Sequence, residues 1–302
     1  MSFRVIALLA LLPFAASSQS VTPPLLAPQS QHGFSMVIAP PLPAALDFAG
    51  ERVPLENFDT RESLERELSV TAYMHSRSLI TLLNTTRYMP IIEPILVKNG
   101  IPLDMKYLCV AESGLNPNIV SVAGAAGLWQ FMTAAGKGAG LEINSKIDER
   151  YHVEKATQAA CNYLRDAYKR FGSWTLAAAA YNMGNAGLAK RMELQKITNY
   201  YDLFLPEETM RYVFRILSWK LVTEHPARYG FIIDSTQYHR PFERFKEVEI
   251  RGQKIDWPAE AARNGTSYKM LRELNQWIRD YDWDNPSGKA YKVKMPQKNF
   301  RE

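Results

Sequence analysis

The 302-residue chain is long enough for roughly two domains. Its 46% hydrophobic and 22% charged residues sit near the globular norm and exclude a disordered or collagen-like polymer. Lys and Arg total 36 against 31 Asp and Glu, a formal charge of +5 without any concentrated basic run. A nucleic-acid binder would gather its charge into a patch or arm, so no nucleic-acid partner is expected; the mild excess suits an anionic polymer.

Taken in chain order, Arg4 precedes a short apolar run from Val5 to Ala16, interrupted by Pro13 and closed by Ala16-Ser17-Ser18. A charged start, a run of this length and small residues at its end predict a secretory signal peptide over residues 1–18. The run falls short of the ~20 apolar residues that span a bilayer, so no transmembrane segment is expected after cleavage. No cysteine stands near the cleavage site to carry a lipid. Removing residues 1–18 takes away Arg4 alone and leaves 35 basic against 31 acidic side chains, or +4. Residues 19–50 carry Pro23, Pro24, Pro28, Pro40, Pro41 and Pro43 without helical periodicity, and read as an extended, mobile leader.

From Asp59 the pattern changes. Asp59 three residues before Glu62 resembles a capping box, and Leu64, Leu68, Tyr73 and Leu79 predict a long helix towards Asn84. Tyr88 to Lys98 reads as a second helix stopped by Asn99-Gly100, and Pro102 stands where a proline opens the next one. Ala-rich helices follow over 154–170 and 174–183, and Pro206-Glu207-Glu208 opens a helix through Tyr212 to Val222. Residues 51–232 therefore read as an all-α domain. After Phe231 an alternating strand over 245–250, two short helices over 256–263 and 267–275, and a strand over 291–295 predict a small α+β module at 241–302. With 13 basic and 10 acidic residues this module is no cationic tail.

Five scattered histidines show no metal-binding spacing, and neither a metal nor a cofactor is expected. Gly136-Lys137-Gly138-Ala139-Gly140 lacks the flanking residues of a phosphate loop and reads as a helix end and turn. Cys109 and Cys161, the only cysteines, either form one bridge in an oxidising compartment or serve as two small buried side chains. The informative stretch is Tyr107 to Pro117. Glu112 ends an otherwise apolar helix, with Gly114 and Pro117 breaking the chain beyond it. The helix dipole and desolvation both raise the pKa of a carboxyl so placed, as a general acid near neutrality requires. A structural cap or an ion pair to Arg would account for the same residue. Downstream, Ser121, Gly127-Leu128-Trp129-Gln130-Phe131-Met132 and Ala180-Tyr181-Asn182 offer amides and hydroxyls for a sugar, with Trp129 and Tyr181 as faces for pyranose rings. A helix cap at Tyr181-Asn182 and a core position for Trp129 are the plainer readings of those residues.

Together these blocks resemble the signature segments of the lytic transglycosylases of glycoside hydrolase family 23. Glu112-Ser113 is followed by Ser121 nine residues on and by Gln130 eighteen residues on, then by Ala180-Tyr181-Asn182. Gly50-Glu-Arg-Val-Pro-Leu and the helices from Asp59 are similar to the membrane-bound D subgroup of that family. Ser267-Tyr268, Leu271-Arg-Glu-Leu274-Asn275 and Tyr291-Lys-Val-Lys-Met-Pro296 resemble a degenerate LysM unit, a βααβ peptidoglycan-binding module; a small packing domain without sugar contact is the alternative. The resemblance implies a mainly α, lysozyme-like (goose-type or lytic transglycosylase) domain and a small LysM-like α+β module. It implies a monomeric enzyme exported to the periplasm or cell envelope, acting on peptidoglycan glycan strands. Glu112 would be its acid and then its base, with Ser121, Gln130, Tyr181, Asn182, Trp129 and Met132 holding substrate. The sequence departs from the family's usual pattern at Tyr151-His152-Val153, after Asp148-Glu149-Arg150, and at Ala186, where a glycine is common. A goose-type hydrolase would need a second carboxylate, for which Asp148 and Glu149 are the nearby residues, beside Arg150 and so suited to a salt bridge. A non-catalytic peptidoglycan-binding scaffold would have no need of Glu112.

Overall fold

A computed structural model describes residues 37–301. The signal peptide read over 1–18 and the leader up to residue 36 lie outside the described residues. The remaining leader is not all extended chain. Strands β1 (Asp47–Phe48) and β2 (Glu51–Arg52) form a hairpin that belongs to the helical domain. Phe48 is fully buried, and the Ala49 amide donates to Asp104 at 2.8 Å. Glu51 accepts from the amides of Trp174 and Thr175 and from both neighbouring hydroxyls, Ser173 and Thr175. These are the donors that a helix start leaves without an intrahelical partner. Proline spacing identified a non-helical segment but not what it covers.

Helix α1 (Phe58–Tyr73) begins at Asn57, without a side-chain cap; Asp59 lies in its first turn rather than at the cap. Its Leu64 and Leu68 are fully buried against α8 (Glu207–Glu224), where Thr71 and Ser218 share a buried hydroxyl bond of 2.8 Å. The chain breaks at Met74, not near Asn84, and α2 (His75–Lys98) then runs unbroken through Pro90 and Pro94. Each proline withholds one main-chain donor. The helix persists because Leu82, Met89, Ile92 and Leu96 keep one apolar face in the core.

A 3-10 turn at Leu103–Met105 leads into α3 (Lys106–Ser113). Tyr107 to Ala111 are all buried, as expected of a helix apolar on every side. Helices α4 (Thr133–Gly138), α5 (Val153–Phe171), α6 (Trp174–Met183), α7 (Asn185–Gln195) and α8 complete the domain. The Gly136–Gly140 run is the end of α4 and its turn. Ala156, Ala159, Ala160 and Ala167 of α5 and Ala177 to Ala180 of α6 are buried, and small side chains let these two helices approach closely. The C-terminal module contains β3 (Phe245–Ile250), β4 (Lys254–Asp256), α9 (Trp257–Arg263), α10 (Tyr268–Leu274), β5 (Asp282–Asp284) and β6 (Tyr291–Pro296). β3 pairs antiparallel with β6, from Phe245 opposite Pro296 to Ile250 opposite Tyr291, and β4 pairs with β5. From Pro40 onwards the helical domain and the module form one compact unit. No helix among the described residues is long and apolar enough to cross a membrane.

Candidate active site

Glu112 is delivered by the last turn of α3. Gly114 ends the helix in the left-handed region (φ 59°), and its amide donates to Val110 O at 2.8 Å. The turn is clamped from behind by α2: Thr81 Oγ1 donates to Gly114 O at 3.1 Å and Asn84 Nδ2 to Leu115 O at 3.3 Å. The positive φ favours glycine at 114, and a Cβ there would come to 3.0 Å from Thr81 Oγ1, so the hydroxyl would have to shift.

The Glu112 carboxylate accepts a hydrogen bond from the Tyr212 hydroxyl and makes no ion pair among the described residues. Burial pushes its carboxyl up to about 7 from an ordinary 4.5. The Tyr212 bond and the Arg215 charge pull in the opposite direction, while Glu208 adds to the rise. Arg215 is itself diverted, lying 2.8 Å from Glu208 and 3.6 Å from the buried Glu67. Glu208, Tyr212 and Arg215 follow one another at i, i+4 and i+7 and so share one face of α8. The sequence reading missed this trio, although its spacing was a visible signal.

The loop from Ser121 to Phe131 folds back on itself, Val120 bridging Ala126 and Ala126 bridging Phe131. Ser121 Oγ accepts the Ala125 amide at 3.0 Å, which leaves its hydroxyl proton for another acceptor. Gln130 takes a left-handed backbone (φ 49°), and its amide nitrogen donates to Gly127 O at 2.8 Å and Ile119 O at 3.3 Å. Both protons are then engaged, and Oε1 remains as the acceptor. Met132 is 46% exposed where the loop enters α4.

Tyr181, near the end of α6, donates to Trp129 O at 2.7 Å, and its ring is packed by Trp129, Phe131 and Tyr163. Burial, then the neighbouring Glu112 charge, hold its phenol well above the ordinary range, which places Tyr181 and Glu112 in one electrostatic neighbourhood. Asn182 accepts from Thr209 at 2.8 Å and so ties the end of α6 to the start of α8. Trp129 offers no face to a sugar. It is fully buried, with its indole N–H donated to Thr157 at 2.8 Å, so the large apolar ring and its one polar atom are both satisfied inside the core.

Cys109 and Cys161 are free, fully buried thiols rather than a bridge, and Cys109 Sγ donates to Leu128 O at 3.4 Å. Asp148 and Glu149 are engaged elsewhere. Arg150 binds both oxygens of Asp148, and Lys155 pairs with Glu149. Burial would raise the Glu149 carboxyl, but the Glu142 amide and the Lys155 ammonium together hold it below its ordinary value. Among the described residues no cluster of His, Cys, Asp and Glu could hold a metal ion.

A helical domain that presents one half-buried acid, partnered by a tyrosine, beside a folded-back loop, followed by a small α+β module, makes this a mainly α protein. Residues 91–207 match the family described as the transglycosylase SLT domain, and residues 246–299 match the soluble lytic transglycosylase C-terminal LysM-like domain. The chain thus carries an SLT transglycosylase domain followed by a LysM-like domain. It is 29% identical over 260 residues to membrane-bound lytic murein transglycosylase D of Escherichia coli (strain K12), covering 83% of this chain and 55% of the relative. The chain spans about half the length of that curated relative. Among solved structures, the 70 kDa soluble lytic transglycosylase of Escherichia coli aligns at a TM-score of 0.42 and 18% identity, over 64% of this chain and 33% of the other. An inactive mutant of the lytic transglycosylase Slt from Pseudomonas aeruginosa aligns at 0.38 and 16%, over 59% and 34%.

Proposed function

We propose that the protein is a peptidoglycan lytic transglycosylase that cleaves the MurNAc-β-1,4-GlcNAc bond without water and leaves 1,6-anhydro-MurNAc ends. The observation that carries this reading is Glu112 in its SLT domain: a carboxyl raised to about 7 by burial, with a tyrosine donor but no paired cation. Near neutrality such a group is able both to give up a proton and to take one back. The name of the Escherichia coli relative supports the same chemistry.

In the first half of the reaction, protonated Glu112 gives its proton to the glycosidic oxygen as the bond to the muramic C1 breaks, and GlcNAc leaves as an alcohol. The 2-acetamido oxygen supports the electron-poor C1. In the second half, the muramic O6 bonds to C1 and its proton passes to the Glu112 carboxylate, which restores the acid. One carboxyl thus exchanges roles, as in retaining glycosidases. Tyr212 donates to the carboxylate and stabilises Glu112 between the two halves. Gln130 Oε1 and the Ser121 hydroxyl, both left with hydrogen-bonding capacity, are assigned the orienting of the acetamido group, with Met132 at the loop's exposed end. Tyr181 and Asn182 brace this arrangement through Trp129 O and Thr209.

The substrate places the protein in the cell envelope, reached through the signal peptide at 1–18, and the net charge suits the anionic wall. Hydrolysis through a second acid is disfavoured because Asp148 and Glu149 are held by Arg150 and Lys155. Purified peptidoglycan digested with the wild type and with Glu112→Gln, then examined by mass spectrometry, tests the reading. Anhydro-muropeptides from the wild type alone are expected. Reducing-end products from the wild type would make it a hydrolase, and no product at all would make it a scaffold.

A further inference from the structure

The module is joined to the helical domain by main chain as well as side chains. The Asp148 amide donates to Trp277 O at 2.9 Å and the Arg279 amide to Lys146 O at 2.8 Å, with Ile147 and Ile278 paired antiparallel between them. Lys146 reaches Asp280 at 2.6 Å and Asp282 at 2.8 Å on the module, and Lys294 pairs with Glu154 on α5. The His152 ring stacks on Trp277 with centroids 5.7 Å apart.

The module's core is also incomplete without the helical domain. Ala126, Ile147 and Tyr151 are buried in the same apolar cluster as Trp257, Ile278 and Val293. Ala126 lies in the loop between Ser121 and Gln130, so the loop that bears two candidate sugar contacts is packed into the module.

A second route runs through Asp148. The module's Trp277 carbonyl fixes the Asp148 main chain, and the Asp148 side chain grips Arg150 through both oxygens. Arg150 Nη1 then donates to Gly124 O at 2.9 Å and Phe131 O at 3.1 Å, inside and at the end of that loop. Gly127 lies so close to Arg150 that a Cβ there would stand 2.0 Å from the Arg150 carbonyl oxygen. An arginine that satisfies two loop carbonyls and is itself held by a buried carboxylate leaves the loop few alternative positions.

We propose that the LysM-like module is a positioning element of the active site: through Asp148, Arg150 and Ala126 it sets the loop carrying Ser121 and Gln130. The role of the loop in catalysis rests on the transglycosylase reading above, whereas the mechanical coupling does not. A module that only grips distant sugar would affect long glycans alone. A module that sets the loop affects every substrate, because misplacing a contact by an ångström can cost up to ~100-fold in rate.

The test uses full-length protein and a charge reversal at the seam. Lys146→Glu sets a carboxylate against Asp280 and Asp282, and Lys146→Glu/Asp280→Lys/Asp282→Lys restores opposite charges. Turnover is measured on whole peptidoglycan and on a GlcNAc-MurNAc tetrasaccharide. Hydrogen exchange is followed at the Ala126 and Gly127 amides, which donate to Phe131 O and Ile119 O at 3.1 Å each. The single variant is expected to lose about 10- to 100-fold in kcat on both substrates, to exchange faster at both amides, and to recover in the compensated variant. Loss on the polymer alone, or unchanged amides with unchanged tetrasaccharide turnover, overturns the proposal. A wild type that releases no anhydro product defeats the transglycosylase reading, while the exchange arm still judges the coupling. Should Lys146→Glu not fold, Lys294→Glu with its Glu154→Lys compensation loads the same seam from its other side, under the same criteria.

Discussion

Two parts of the molecule half-bury carboxylates, and they treat them in opposite ways. At the end of α3, Glu112 has a tyrosine for a partner and its carboxyl is pushed up to about 7. Along the seam with the module, burial would raise Glu154 just as it raises Glu112, but the His152 hydrogen bond and the Lys294 charge bring it down to about 2. Burial acts with the same sign in both places; the donors around each carboxylate differ, a histidine and an ammonium at Glu154 and a tyrosine at Glu112. Glu67 and Glu208 matter for what they prevent, since they hold Arg215 away from Glu112. The seam is built to keep charges fixed, and the end of α3 to leave one proton mobile.

Removing Glu112 breaks this comparison most severely. Glu112→Gln is expected to lower anhydro-product release by about 10²- to 10⁴-fold, the usual worth of a general acid–base group. The stability effect runs the other way. With its pKa raised from 4.5 to about 7, the folded state binds the proton more tightly than the unfolded chain. That contribution is complete below pH 4.5 and is lost as pH rises through 7. Above pH 7 the wild type therefore carries a half-buried charge that the glutamine variant lacks. Urea unfolding at pH 8 should find Glu112→Gln more stable, by up to about 3 kcal/mol, and a less stable variant would contradict the raised pKa of this acid.

At the seam the same kind of change should have the opposite sign. Arg150→Ala strands buried Asp148 and takes the donor from Gly124 O and Phe131 O. Breaking a buried pair from one side costs about 3–5 kcal/mol, because the remaining charge stays uncompensated. Thermal unfolding followed by circular dichroism should show this loss near neutral pH. A change below about 1 kcal/mol would mean that the pair is no more than a surface contact.

How much of this was legible in the sequence follows from how local each cause is. Glu112 at the end of an apolar helix was visible because Gly114 and Pro117 stand next to it, and Gln130 and Tyr181 were singled out by their spacing from it together with the family resemblance. Trp129 was misread as a sugar face because its indole partner, Thr157, lies 28 residues away and only the fold brings them together. Tyr212 was overlooked for the same reason: the i, i+4, i+7 pattern on α8 marks a face but not the acid, 100 residues upstream, that the face meets. The proline count of the leader says nothing of Phe48, which is buried by helices that follow it. The module's strands β3 and β6 and its two helices were readable from alternation and caps, whereas the three-residue strands β4 and β5 were too short to show a pattern; its docking depends on pairing Ile147 with Ile278, which no local pattern encodes.

A milder change sharpens the contrast at Glu112 itself. The Tyr212 hydrogen bond lowers the Glu112 pKa, so Tyr212→Phe should raise it further and move the alkaline limb of the pH–rate profile upward. A hydrogen bond to a charged group contributes about 1.5–3 kcal/mol, which sets an upper limit near two pH units. The rate at the optimum should fall, because the carboxylate formed midway loses its donor. A limb that stays in place would show that Tyr212 does not act on the ionised form.

The smallest effect is expected at the two thiols, where burial outweighs the neighbouring groups that would lower them. Cys161 is pushed up to about 12 by burial, and Cys109 is raised well above its ordinary value by burial and then by the Glu112 charge three residues on. Thiol chemistry runs through the thiolate, so both side chains should be inert towards alkylation and exchange near neutrality. Since Cys109 and Cys161 are unbridged, adding reductant should leave the melting temperature and the peptidoglycan-cleaving rate unchanged. A fall in melting temperature on reduction would mean that the two helices are cross-linked, and α3 would then owe its position to a covalent bond. Without that bond, the packing of Tyr107 to Ala111 and the clamp from Thr81 and Asn84 are what hold Glu112 in place.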